Sequence, residues 1–148
     1  ACQKNTAMSE LQTHHAGVTV ADLDRAVDFY CDVFGLSVCA EFEVSGEAFE
    51  TGVDIEEASA RFAHLDGGSI RIELVEYNPA GHARPTPQLN AAGATHLGFR
   101  VDDLDAFYKE LPAAVETLSP PQTTATGTRI LFVRDPEDNL VEVLELSG

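Results

Sequence analysis

Lysine is nearly absent from this chain: Lys4 and Lys109 are the only two in 148 residues, against 25 acidic side chains, and the net charge is −16. A surface this acidic repels phosphate backbones and anionic lipid, which argues against nucleic acid and membrane partners. Cysteine is sparse and odd in number (Cys2, Cys31, Cys39), with no CxxC pair. That excludes a disulfide framework and a thiolate zinc site, and predicts a reduced, cytoplasmic protein. No apolar run approaches the roughly 18 residues of a membrane span. The first eight residues show no hydrophobic stretch of a signal peptide, and residues 1–12 are expected to be a flexible tail. Low-complexity tracts and coiled-coil heptads are missing too. What is present, 44% hydrophobic residues, is enough for one domain with a buried core or two half-size units sharing one.

The strongest positive signal is a repeat. His15-Ala-Gly-Val-Thr-Val-Ala-Asp-Leu-Asp24 returns 81 residues later as His96-Leu-Gly-Phe-Arg-Val-Asp-Asp-Leu-Asp105, identical at six of ten positions. Self-similarity of this kind means two copies of one unit. Module one is taken as residues 13–77, the linker as 78–93 and module two as 94–148, within a single domain over 13–148. In module one, His14–Val20 alternates as a strand. Asp22 is a helix N-cap before Leu23–Phe34, whose apolar positions recur at helical spacing, and Gly35 is its C-cap. Leu36–Phe42 reads as a strand, and Ala60–Leu65 and Ile70–Glu76 as a hairpin around Asp66-Gly67-Gly68. Module two repeats the order with strands at Thr95–Val101 and Ala114–Leu118, a helix at Leu104–Leu111, and a hairpin of Arg129–Val133 with Asn139–Leu146. The linker, rich in Pro, Gly, Asn and Ala, reads as a connection or lid.

Each copy opens with a strand histidine and closes with a carboxylate inside an apolar strand. The pairs are His15 with Glu73, 58 residues apart, and His96 with Glu142, 46 apart. Burying a glutamate among aliphatic neighbours costs several kcal/mol unless it is paired or bound to a cation. The alternative places Ile72 and Val141 on the core side, with both glutamates on the opposite face. Two imidazoles and two carboxylates suit one divalent cation such as Zn²⁺, Ni²⁺, Co²⁺, Mn²⁺ or Fe²⁺, a Lewis acid for a carbonyl oxygen. Strand parity places Arg71 and Arg100 on the same faces as these residues, where either can hold a substrate carboxylate. Tyr77 follows the Glu73 strand and is a further substrate-contact candidate. His64 and His82 are weaker candidates, His14 is expected to face solvent, and Cys31 is expected to be packing.

These segments, with Phe34-Gly-Leu36, Ile72-Glu-Leu74 and Arg134-Asp-Pro-Glu-Asp-Asn-Leu-Val-Glu142, resemble the vicinal oxygen chelate superfamily, which includes glyoxalase I, epimerases, extradiol dioxygenases and bleomycin resistance proteins. The resemblance spans residues 14–146. It implies an α+β fold of two βαβββ modules pairing into a curved, barrel-like metal-binding cup, in a chain that is a homodimer. The His, Glu, His, Glu order of His15, Glu73, His96 and Glu142 is similar to that of glyoxalase I-like members. It implies one divalent metal per site and a small-molecule substrate. The chemistry implied is an isomerase or lyase reaction: proton transfer next to a metal-chelated carbonyl, through an enediolate, with Glu142 or Glu73 as the base. The resemblance also covers Fe²⁺ ring-cleaving dioxygenases and non-catalytic small-molecule binders of the resistance type. The stretch after Gly35 lacks the methionine- and lysine-bearing segment of glyoxalase I, which points away from a glutathione adduct. Asp138 stands where the family has a turn glycine.

Overall fold

The repeat builds the same local structure twice, beginning with its aspartates. In the computed structural model, which describes residues 11–83, 85 and 88–148, β1 (His15–Thr19) leads into α1 (Leu23–Phe34) and, in the second copy, β5 (Leu97–Arg100) into α3 (Leu104–Glu110). Each helix starts at the repeat's aspartate: Asp22 accepts from the Arg25 N–H at 3.0 Å and Asp103 from the Ala106 N–H at 2.8 Å. A second carboxylate reaches each helix from across the sheet. Glu76 accepts from the Leu23 N–H at 2.7 Å, and Glu145 from the Leu104 N–H at 2.8 Å. The free N–H groups of both first turns are therefore met by carboxylates, which also suit the positive end of the helix dipole. Gly35 ends α1 in the left-handed conformation, φ 68°, where a side chain would be strained.

Module one continues through β2 (Ser37–Ser45), α2 (Glu47–Val53), β3 (Ser59–Asp66) and β4 (Arg71–Asn78); module two continues through β6 (Gln122–Thr123), β7 (Arg129–Arg134) and β8 (Leu140–Glu145). The result is two four-stranded mixed sheets, ordered β1-β4-β3-β2 and β5-β8-β7-β6. In each, the first strand runs parallel to its neighbour and the remaining pairs are antiparallel. This is the expected α+β pair of βαβββ modules, but the sheets do not close into a barrel within the chain: β1 and β5 are each a sheet edge. Among the described residues no helix is long and apolar enough to cross a membrane.

One local expectation fails, and one helix lies in a stretch left unassigned. Residues 114–118 form no strand, only a bridge between Thr117 and Val133; the strand that completes the sheet is the two-residue β6, inside the Pro- and Thr-rich stretch. The polar stretch after β2 contains α2, whose single aromatic anchor, Phe49, rests on Phe62 and Tyr77. Seven residues with one anchor leave no periodicity to read. The first ten residues of the expected tail lie outside the described residues.

The helices lie on one face of each sheet. Leu23, Ala26 and Tyr30 of α1 are buried against Ala63, Leu65, Ile72 and Leu74, and Leu104 of α3 against Leu131, Val133 and Val143. The two helical layers then join. Phe34 stacks on Phe99 and on Phe107, with ring centroids 5.1 and 6.0 Å away. The Tyr30 hydroxyl donates to Asp135 at 2.8 Å, in a buried bond between the modules. Asp135 also accepts from the N–H groups of Glu137 and Asn139 and from the Asn139 amide. Its turn carries Asp138 at φ 62°, a left-handed position that aspartate tolerates.

Candidate functional site

Alternation along the strands decides which side chains meet on the face away from the helices. Ile72 and Leu74 go into the α1 core, so Glu73 goes to the opposite face, and Val141 and Val143 send Glu142 the same way. Pairing register then fixes the neighbours. Across the first sheet Ala40, His64, Glu73 and Gly17 lie in one row, with His15 and Arg71 in the next. Across the second, Phe132, Glu142 and Gly98 form the equivalent row.

The first row is a histidine–carboxylate cluster. His15 Nε2 lies 3.4 Å from Glu73 Oε1, and His64 Nε2 lies 2.7 Å from Glu73 Oε2. The two imidazoles are near-parallel, with centroids 6.2 Å apart. The Glu73 side chain is 15% exposed, His64 9% and His15 36%, so a half-buried carboxylate is met on both oxygens. His14 is exposed, as expected, but its ring is not turned away. Its Nδ1 is 2.8 Å from His15 Nδ1, and its Nε2 is 3.4 Å from Arg71 Nη1. Residue 14 precedes the strand, so strand alternation does not govern it.

The second row is sparer. His96 Nε2 lies 3.2 Å from Glu142 Oε2, and the His96 ring meets Phe132 edge-on with centroids 5.4 Å apart. Phe132 therefore occupies the position that His64 holds in the first sheet.

Both pairs fit a shared cation in one further respect. Two donors bound to one metal at about 2.0–2.2 Å and roughly tetrahedral or octahedral angles sit about 3.0–3.5 Å apart, which brackets the 3.4 and 3.2 Å seen here. Beside each pair stands the repeat's glycine. A Cβ at Gly17 would lie 3.9 Å from His15 Nε2 and 4.0 Å from Glu73 Oε1, and one at Gly98 would lie 3.8 Å from Glu142 Oε2. Glycine keeps that space free. The two pairs are not brought together, however. Among the described residues no group of three or more His, Cys, Asp or Glu side chains is arranged to hold a metal, and no ion pair joins the two sheets' residues.

The other candidates scatter. Arg71 is exposed beside His14, and Arg100 is exposed on the Glu142 face without an ion pair among the described residues. Tyr77 stacks on Phe49, with an interplanar angle of 7°. Phe42, Phe49, Phe62 and Tyr77 make an aromatic wall on the Glu73 side of the sheet. Tyr77, His82 and His96 line a cleft of roughly 880 Å³ between the β1 edge, the linker and the turn after β7; the two carboxylates open outside it. Cys31 is a poor nucleophile: burial first, then Asp32 and Asp28, push its thiol above the ordinary value. Burial and the Asp135 carboxylate hold the Tyr30 phenol protonated, far above its ordinary range. The capping role of Glu76 and Glu145 escaped the sequence reading, although each stands three residues after the strand carboxylate of its copy.

A family model for the Glyoxalase/Bleomycin resistance protein/Dioxygenase superfamily matches residues 12–143. A 2-epi-5-epi-valiolone epimerase from an Actinomyces species is 33% identical over 143 residues, covering 90% of this chain and 78% of that one. A probable lactoylglutathione lyase from Vibrio cholerae serotype O1 is 28% identical over 141 residues, 93% of either chain. Among solved structures, a glyoxalase family protein from Bacillus cereus has a TM-score of 0.86 at 23% identity, covering 98% of this chain and all of the other. That likeness is one of fold.

Proposed function

Because the chain belongs to the Glyoxalase/Bleomycin resistance protein/Dioxygenase superfamily, we propose that it is a divalent-metal-dependent isomerase or lyase acting on a small carbonyl compound. His15, Glu73, His96 and Glu142 are its metal ligands. The observation that carries this reading is the repeated His–Glu pair, set at 3.4 and 3.2 Å beside a glycine on the open face of each sheet. A bound divalent cation would polarise the substrate carbonyl and lower the energy of negative charge developing on its oxygen. The chain's own carboxylates do the proton work. Glu142 or Glu73 takes the proton from the carbon next to the carbonyl; either the carboxylate on the opposite side then delivers a proton to the other face, or the same carboxylate returns it to the neighbouring carbon. The first outcome is an epimerisation, the second an isomerisation. The aromatic wall beside Glu73 keeps water from the acidic carbon, and Arg71 or Arg100 is available to an anionic substrate group.

The reading is supported by the relatives' names, an epimerase at 33% identity and a probable lyase at 28%. One centre with four ligands requires the Glu73 face to meet a Glu142 face, and we place that meeting between two copies in a homodimer. Elemental analysis of protein purified without added metal tests the proposal, together with turnover assays on cyclic polyhydroxy-ketone epimers and on hemithioacetals. Zinc, nickel, cobalt or manganese with turnover of either class is the expected result. Iron with oxygen uptake on catechols would replace it with ring cleavage, and ligand affinity without metal would replace it with a binding protein.

A further inference from the structure

The duplication makes a comparison within one molecule possible, because the glycine, glutamate and histidine around one carboxylate have counterparts around the other. Gly17 answers to Gly98, Glu73 to Glu142 and His15 to His96. The symmetry breaks on the neighbouring strand. Opposite Glu73 on the neighbouring strand is His64; opposite Glu142 it is Phe132. We propose that His64 is a positioning residue that clamps Glu73 through its second oxygen, making Glu73 the fixed ligand and leaving Glu142 as the carboxylate free to carry the proton. This deepens the metal-enzyme reading above and rests on it.

The geometry is specific. His64 Nε2 is 2.7 Å from Glu73 Oε2, while Oε1 of the same carboxylate faces His15 at 3.4 Å. A carboxylate only accepts, so the proton in the 2.7 Å contact sits on His64 Nε2. Such a bond to a charged group is about twice as strong as one between neutral groups. The ring itself is held. His64 is 7% exposed, its edge meets Phe42 at a centroid distance of 5.0 Å, and its backbone carbonyl accepts from the Cys39 thiol at 3.2 Å. With Oε2 engaged, Glu73 presents Oε1 alone toward the space beside Gly17. A ligand oriented in this way by an outer partner binds metal more tightly, because less freedom is lost on binding. Phe132 offers Glu142 no such bond. Its ring packs against His96 instead, and the polar contact that Glu142 makes among the described residues is to His96 at 3.2 Å.

The test compares wild type, His64→Phe and His64→Gln. Phenylalanine is the residue of the second copy, and glutamine places an amide N–H where the imidazole Nε2–H lies. Two readouts are used, with circular dichroism to confirm that each variant is folded. In metal-free protein, long-range ¹H–¹⁵N NMR of the histidine rings should show His64 as the Nε2–H tautomer. Titration with Co²⁺, followed by its visible absorption, should show affinity falling about 10- to 100-fold in His64→Phe and most of it returning in His64→Gln. An Nδ1–H tautomer in the wild type overturns the clamp. So does undiminished Co²⁺ affinity in His64→Phe, or an equal loss in both variants, which would mean that ring packing matters and the hydrogen bond does not. Wild-type protein that takes up no Co²⁺ overturns the metal reading itself, a result distinct from these.

Discussion

Glu73 and Glu142 hold the same place in the repeat and the same face of their sheets, but their surroundings differ, and in the proposed metal chemistry that difference would divide the labour. Glu73 is met on both oxygens by imidazoles, at 3.4 and 2.7 Å, whereas Glu142 is met on one, at 3.2 Å. A proton carrier has to swing between ligand and substrate, and a carboxylate held on both oxygens cannot. Glu142→Gln should therefore retain metal and lose about 10²–10⁴ in turnover, the usual contribution of a positioned acid–base group. Glu73→Gln keeps a carbonyl oxygen for the His64 N–H, and should retain the greater share of turnover while binding metal more weakly. Steady-state kinetics with metal content measured on the same samples distinguishes the two. Equal losses in turnover would mean that both carboxylates handle the proton.

At the scale of the element, the capped helices are the most sequence-determined part of the molecule. Asp22 and Asp103 each accept a first-turn N–H, so Asp22→Ala and Asp103→Ala should each lower stability by about 0.5–2 kcal/mol, read as a shift in the urea midpoint. The Asp22 cap was legible because it stands before an apolar stripe; Asp103 repeats it in the second copy, where Asp-Leu-Asp recurs. The strand carrying Glu73 was legible because Ile, Glu, Leu and Val alternate faces there. The alternative that put Ile72 and Val141 in the core proved right about the core, and the glutamates still escape full exposure because the opposite face supplies histidine partners. Residues 114–118 misled because three apolar residues near a proline satisfy a strand pattern, whereas pairing with β7 is a tertiary choice. Helix α2 was hidden for a related reason: Phe49 is fixed by Phe62 and Tyr77, contacts that exist only once the sheet is formed. The His64–Glu73 bond was equally out of reach, because it depends on the register between β3 and β4.

For the molecule as a whole, the seam between modules keeps the two His–Glu pairs of one chain apart. Phe34 packs on Phe99 and Phe107, and Tyr30 donates to Asp135, so the helical faces of the two sheets are bound to each other. The carboxylate faces are the opposite faces, and both point out of that shared core. Two such faces cannot turn toward one another without breaking the seam, but under the proposed function a second copy would supply the missing one. In the homodimer proposed above, a two-fold axis would build two centres, each with His15 and Glu73 from one copy and His96 and Glu142 from the other. The arrangement makes a quantitative prediction for mixtures. His15→Ala and His96→Ala homodimers each contain only damaged centres. In a heterodimer of the two variants, one centre collects both lesions and the other collects none. Random reassociation of equal amounts should therefore restore about a quarter of the wild-type sites, counted by Co²⁺ stoichiometry or by turnover. Centres formed within single chains would restore nothing on mixing, and that outcome would require the seam between the modules to open.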